Sequence, residues 1–206
     1  MIKPLGTGSS ELVAMVKSLG IEYGFLGVFD KNFPGFLNVD RMGMAIVNTG
    51  DISSGGVHWI AFGFDPITLK FYMFDPFGWS KKELLHKYQF QYDRMVRNTA
   101  VKTRKCITLV KSEEAVQCPC SAACGLFCLL FLYSFYYFRF SPMKNNPVID
   151  IVVGVPHKYL FTFYGILVTH LNQENLYNWL KEKCMYFREK EKYIKENTKL
   201  FAIKIH

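Results

Sequence analysis

The longest uncharged, mostly apolar run in the chain, Leu126 to Phe138, follows the polar, cysteine-rich segment Gln117 to Gly125. Being apolar on every side, it predicts a helix buried all round. Ser121 is placed to cap that helix, with Ala122 and Ala123 opening it and Cys124 in the first turn. Leu12, Val13, Val16 and Leu19 mark one face of a first helix, capped by Ser9 or Ser10 and stopped by Gly20. Phe25–Phe36, interrupted by Gly27, Pro34 and Gly35, predicts loop with short extended pieces. Met44–Val47 reads as a buried strand and residues 48–56 as a turn-rich loop. Val57–Phe64 and Leu69–Phe74 predict a hairpin about Asp65-Pro66. Lys81–Tyr88 predicts a helix, which Gln91–Arg97 either continues or follows with another. Cys106–Val110 is a third clear strand, and Val148–Val153 fits helix or strand equally. A charged amphipathic helix is expected from Gln173 to about Lys195, with Leu176, Trp179, Leu180 and Met185 inward. Strands in the first half and helices in the second predict an α+β fold.

Composition narrows this little. With 206 residues, half of them apolar and 17% aromatic, the chain makes one globular domain, residues 1–206. A net charge of +8 suits a polyanionic partner such as nucleic acid, or simple solubility. The N-terminus lacks the apolar segment of a secretory signal, so the six cysteines are expected as reduced thiols in cytosol or nucleus. Ala122–Phe138 reaches only the ~17-residue lower limit of a membrane span, and Ser134 and its tyrosines suit a protein core better.

Chemistry enters at Cys124. A thiol in the first turn of a helix is pushed toward thiolate by the free N–H groups there. Such a nucleophile needs a base, an orienting acid and an oxyanion donor. His58 begins one hairpin strand and Asp75 follows the other, ends that lie side by side in an antiparallel pair. Gln117, on the loop entering the Cys124 helix, can donate to an oxyanion together with the Cys124 N–H. Each of these signals alone is weak: a strand histidine is usually structural, and Asp-Pro is a turn signal. Cys128 reads as inert core. A rival reading makes Cys118, Cys120, Cys124 and Cys128 four ligands for zinc or an iron–sulfur cluster, but their spacing is not a usual ligand pattern and Pro119 stiffens the loop.

Several motifs in order resemble the adenovirus protease family, the adenains: Gly55 to Phe62, Phe74 to Gly78, Cys106 to Leu109, Gln117 to Gly125, Asn146-Pro147 and Gly154 to Pro156. The likeness extends over nearly the whole chain. It implies a cysteine endopeptidase with a mixed central sheet flanked by helices and a buried helix carrying the nucleophile. His58, Asp75, Gln117 and Cys124 fall on the family's base, acid, oxyanion donor and nucleophile, and Trp59 on a ring packed near the site. It further implies cleavage of virion precursor proteins at Gly-containing sites during particle maturation. The protein would work as a monomer, without metal, in the virion and the host nucleus. Two activators are implied. One is a short viral peptide from a capsid-interior precursor, which adds a strand and forms a disulfide through Cys106. The other is DNA, bound without sequence preference by basic residues such as Lys102-Thr103-Arg104-Lys105 and those after Lys181. The chain departs from the family at Cys118 and Cys120, which are not typical there. Gly55-Gly56 resembles a self-cleavage site. The competing functions are a protease removing ubiquitin-like modifiers and a non-enzymatic, DNA-associated virion core protein.

Overall fold

The computed structural model describes residues 5–51 and 57–202; the Gly55-Gly56 bond lies outside them. Five strands form one mixed sheet in the order β1 (Phe25–Phe29), β2 (Gly43–Asn48), β3 (Trp59–Asp65), β4 (Lys70–Phe74), β5 (Thr108–Lys111). The three central strands are antiparallel, while β1 and β5 run parallel to their neighbours at the two edges. The pieces expected between Phe25 and Phe36 therefore include a true edge strand. Gly27 (φ +128°) falls where its register with β2 shifts. Strand β5 starts two residues later than expected, so Cys106 precedes it.

Side-chain alternation divides the sheet between two cores. Met44, Ile46, Ala61, Tyr72 and Phe74 face one, and Ala45, Val47, Ile60, Phe62, Phe64, Phe71 and Met73 face the other. Both faces are covered, which is why β2 and β3 read as nearly continuous apolar runs rather than alternating ones. On the first face lie α1 (Ser9–Ser18) and α4 (Cys124–Tyr137). The second face is covered by α2 (Lys81–Tyr88), α3 (Asp93–Thr103) and the loop carrying Phe33 and Phe36.

Helix α4 is buried from Gly125 to Leu132 and at Ser134 and Phe135, but not all round as expected: its last turn opens to solvent at Tyr137, 53% exposed. Phe131 stacks on Phe74 with centroids 5.1 Å apart, and Phe135 lies edge-on to Tyr72. Gly63 on β3 lets that helix approach, because a Cβ there would meet the Phe135 ring at 3.0 Å. The expected Gln91–Arg97 stretch proves to start a separate helix, α3, at Asp93, after the left-handed cap at Gln89. The N-cap of α1 is Gly8, whose N–H bonds to Glu11, rather than Ser9 or Ser10.

The C-terminal helix differs most from expectation. Helix α5 (Phe163–Lys183) begins ten residues early, capped by Thr162. Phe163, Tyr164, Leu167 and Leu171 sit on its exposed side and hide its period in the sequence. It ends at the extended Cys184, and two short helices follow, α6 (Met185–Glu189) and α7 (Glu191–Thr198). That break swings Met185 outward, 59% exposed, and turns Cys184 and Phe187 inward. Residues 149–151 form a single 3-10 turn. No helix among the described residues is long and apolar enough to cross a membrane.

Candidate active site

Cys124 opens α4, so its N–H and that of Gly125 have no acceptor within the helix. The helix starts three residues after Ser121; Ala123 occupies the N-cap and has no side chain to cap with. Ser121 instead accepts from Ala123 N and donates to Gln173 on α5, fixing the approach to the helix. Gly125 keeps the first turn close to its surroundings: a Cβ there would come within 2.9 Å of Leu12 and Thr7 and 3.2 Å of Trp59.

His58 lies just ahead of β3, and its carbonyl receives Thr49 N at 2.9 Å, extending the β2–β3 ladder by one step. Asp75 lies just past the end of β4. The antiparallel pairing brings the two together: His58 Nε2 is 2.7 Å from Asp75 Oδ1, with the side chains 2% and 0% exposed. Nε2 being engaged, Nδ1 is the ring nitrogen left open, and Cys124 is the other group that acts on the imidazole. Burial works against a charge on His58. The Asp75 carboxylate and the Cys124 sulfur outweigh it and raise the imidazole from 6.5 to about 10. The ring is thus held protonated beside the Asp75 carboxylate and the Cys124 sulfur.

Asp75 is held in turn. Its carboxylate accepts from Phe77 N (2.9 Å) and Trp79 N (3.1 Å), and its backbone N–H and C=O both bond the Ser112 hydroxyl. Three charge-assisted bonds, one of them from the protonated His58, satisfy the fully buried carboxylate. Rings of Phe77 and Tyr88 contact the imidazole at centroid distances of 5.1 and 5.3 Å. Burial and the nearby carboxylate push the Tyr88 phenol up to about 12, so it stays neutral beside the charged ring. Tyr88 and Ser112 carry no motif that a sequence reading would single out. Phe77 lies two residues past Asp75, within the Phe74 to Gly78 motif.

Gln117 is 1% exposed. Its Nε2 donates one hydrogen to Ser121 O at 3.0 Å, and its Oε1 has no protein partner. The loop beneath is tied to the acid's own turn, since Val116 N and Gln117 N both donate to Pro76 O. Asn172 from α5 bonds Val116 O. His58, Gln117 and Cys124 all line one cleft of about 1250 Å³, walled by Gly6, Thr7 and Trp59 on one side. Trp59 Nε1 donates to Thr7 O, locking that wall. The arrangement has what acyl transfer requires: a thiol against an imidazole, an oriented base, and N–H donors beside the sulfur.

The other cysteines separate. Cys128 is buried, directs its thiol to Trp59 O, and has its pKa raised well above normal by burial and then by Cys124. Cys106 is exposed. Cys118 and Cys120 are joined by a disulfide, so the expectation of six reduced thiols fails at this pair. The four-cysteine metal site does not form: among the described residues the one cluster with ligand-like spacing is Cys118, Cys120 and His170, without Cys124 or Cys128.

The adenovirus endoprotease sequence profile matches residues 25–202. The chain belongs to the adenovirus endoprotease family. It is 55% identical to the protease of frog adenovirus 1 over 203 residues, 98% of this chain and all of that one. Identity is 49% over 199 residues with the protease of avian adenovirus 8, covering 96% of this chain and 97% of that one. With the protease of human adenovirus A serotype 12 it is 44% over 196 residues, covering 94% and 95%. This protease is therefore a viral cysteine peptidase, and its α+β fold with a mixed sheet and buried helix is the one the resemblance implied.

Proposed function

We propose that the protease cleaves virion precursor proteins at Gly-containing sites during particle maturation, with Cys124 as nucleophile, His58 as base and acid, Asp75 as orienter and Gln117 as oxyanion donor. The single observation that carries this reading is the buried chain Asp75–His58–Cys124, in which one ring bridges a carboxylate and a sulfur. In that chemistry the thiolate attacks the scissile carbonyl carbon, and the developing oxyanion is met by the Cys124 N–H and the free Gln117 Nε2 hydrogen. His58 then gives its proton to the leaving amine, producing a thioester. Water, deprotonated by His58, attacks the thioester, and the sulfur leaves as thiolate with the imidazolium restored. The open wall at Gly6 and Gly8 suits an extended peptide with little side-chain bulk near the bond cut.

Activation by a viral peptide is supported by β5. It is an edge strand with no strand beyond it among the described residues, and the exposed thiol of Cys106 lies two residues ahead of it. A peptide can add to such an edge by backbone bonds and be fixed by a disulfide. DNA binding is supported by the +8 charge and by exposed Lys102, Arg104 and Lys105. The working place would be the assembling particle in the host nucleus, and the working form a monomer.

The test of the chemistry is thiol mapping. A limiting amount of iodoacetamide should modify Cys124 before the other thiols and stop cleavage in proportion, and Cys124→Ala should abolish cleavage while leaving the fold intact. Activity that survives full modification of Cys124 would sink the assignment.

A further inference from the structure

The Cys118–Cys120 disulfide takes no part in the chemistry above, yet it lies in the segment that holds the oxyanion donor. It joins residues only two apart in sequence. Stabilisation by a cross-link grows with the loop it closes, so this bridge adds little to the fold. Its neighbours are what distinguish it. Gln117 precedes it, Ser121 follows it, and the Gln117 Nε2–Ser121 O bond spans it. Within the small ring Cys120 N donates to Cys118 Sγ at 3.1 Å. Pro119, between the two sulfurs, lines the catalytic cleft. On the far side Cys120 Sγ lies 3.2 Å from Nε2 of His170, a half-buried residue of α5. All three donor atoms lie within 4.8 Å of one another. An imidazole so placed can take the proton from a thiol entering exchange and stabilise a sulfur that departs as thiolate.

We propose that Cys118, Cys120 and His170 form a reversible dithiol–disulfide site that exchanges with low-molecular-weight thiols and sets the position of the Gln117 side chain. The second half rests on Gln117 acting as oxyanion donor. Reduction begins when an external thiolate attacks Cys120 Sγ, buried at 2% exposure and reached from the side of the half-buried His170 once the turn opens locally. The Cys118–Cys120 bond breaks, and Cys118 sulfur leaves as thiolate and takes a proton. A second external thiolate attacks the small-molecule sulfur of the mixed disulfide, releasing the external disulfide and a Cys120 thiolate next to His170. In net terms two external thiols are oxidised and the protein disulfide is reduced to two thiols; oxidation of the site runs the same steps backward. With the bridge closed, residues 117–121 form a constrained turn in which the Gln117 amide is held by Ser121 O. With it open, that turn loses its covalent constraint and the donor loses its fixed aim.

The experiment equilibrates the full-length protein anaerobically over graded ratios of reduced to oxidised glutathione, then quenches with a mass-tagging alkylator. Peptide mapping reads Cys118 and Cys120 directly, and kcat is expressed per free Cys124 thiol so that oxidation of the nucleophile is removed from the result. Cys118 and Cys120 should become taggable together, in one transition. Over that transition kcat should fall about tenfold with little change in KM, a part of the ~100-fold or more that losing an oxyanion donor costs. Cys118→Ser/Cys120→Ser should hold the lower kcat at every ratio. His170→Gln should close the same bridge more slowly. Sulfurs that tag independently of the ratio, or that hold one equivalent of zinc and resist tagging in the reduced protein, would overturn the exchange site. A bridge that opens and closes while kcat matches the double variant throughout would overturn the gating. Gln117→Ala, run in parallel, separates the two ideas: wild-type kcat there sinks the oxyanion reading and the gating with it, while the tagging result still decides the exchange chemistry.

Discussion

Replacing Asp75 by Asn tests whether the buried acid is what keeps His58 charged. Asn nearly matches Asp in shape, but its amide cannot accept at both ends. One oxygen now accepts from His58 and Phe77 N, the other from Trp79 N. In either orientation a buried donor faces a donor, and removing one partner of a buried ion pair costs about 3–5 kcal/mol. The pH dependence is the sharper readout. The folded protein holds the His58 proton up to about 10, against 6.5 for the free side chain. A raised pKa gives stability that is fully present below 6.5 and is lost as pH rises through about 10. Between those values each pH unit removes about 1.4 kcal/mol, so this one group should cost the wild type about 3 kcal/mol from pH 7 to pH 9.

In Asp75→Asn the attraction of the carboxylate is gone and burial opposes the charge, so this slope should shrink to what the Cys124 sulfur alone sustains. Other groups titrate in the same range, but they do so in both proteins; the difference between the two curves isolates the pair. Urea unfolding followed by tryptophan fluorescence at pH 7, 8 and 9 measures it. The gap between the proteins should be largest at pH 7 and close by most of 3 kcal/mol at pH 9, with kcat/KM down by about 10²–10⁴-fold at pH 7. Parallel curves across the range would refute the argument that Asp75 holds the imidazole charged.

Three more results are expected. Gln117→Ala should lower kcat by about 100–1,000-fold and leave KM nearly unchanged, since the donor is needed only as the oxyanion forms; steady-state kinetics on a short peptide decides it, and a KM effect alone would point to a ground-state contact. Cys106→Ser should form no mixed disulfide with an added thiol-bearing peptide on a non-reducing gel, and an adduct that persists would place the link on another cysteine. Stimulation by DNA should fade as salt rises from about 50 to 200 mM, because counterion release drives such binding; stimulation indifferent to salt would mean that phosphates are not the contact.

Residues whose placement follows from where an element begins or ends were legible in the sequence. Cys124 was readable as the first turn of an apolar helix, and His58 and Asp75 as adjoining ends of a hairpin, because spacing alone brings those positions together. Features that depend on a distant surface were not legible. Tyr88 closes α2 as an ordinary aromatic, and only the packing of α2 against the second face of the sheet brings its ring over His58. The start of α5 was hidden because Phe163, Leu167 and Leu171 face solvent, reversing the pattern that periodicity relies on. The Cys118–Cys120 pairing was not legible, since nothing in the spacing of the six cysteines distinguishes a bonded pair from free thiols.

The hidden and the legible parts meet in one turn. Pro76 O accepts both Val116 N and Gln117 N, Asp75 bonds Ser112 through its N–H and C=O, and Asn172 of α5 anchors Val116 from the far side. The acid and the proposed oxyanion donor are therefore positioned by the same backbone, drawn from four parts of the chain. Burial explains why those bonds are needed: Asp75 at 0% and Gln117 at 1% exposure cannot turn to water for partners, so any displacement leaves a polar group unsatisfied. Geometry of this kind belongs to the folded state as a whole. A sequence can name the four side chains, but their aim is set by hydrogen bonds between segments that lie 37 to 56 residues apart, too far for periodicity to carry information.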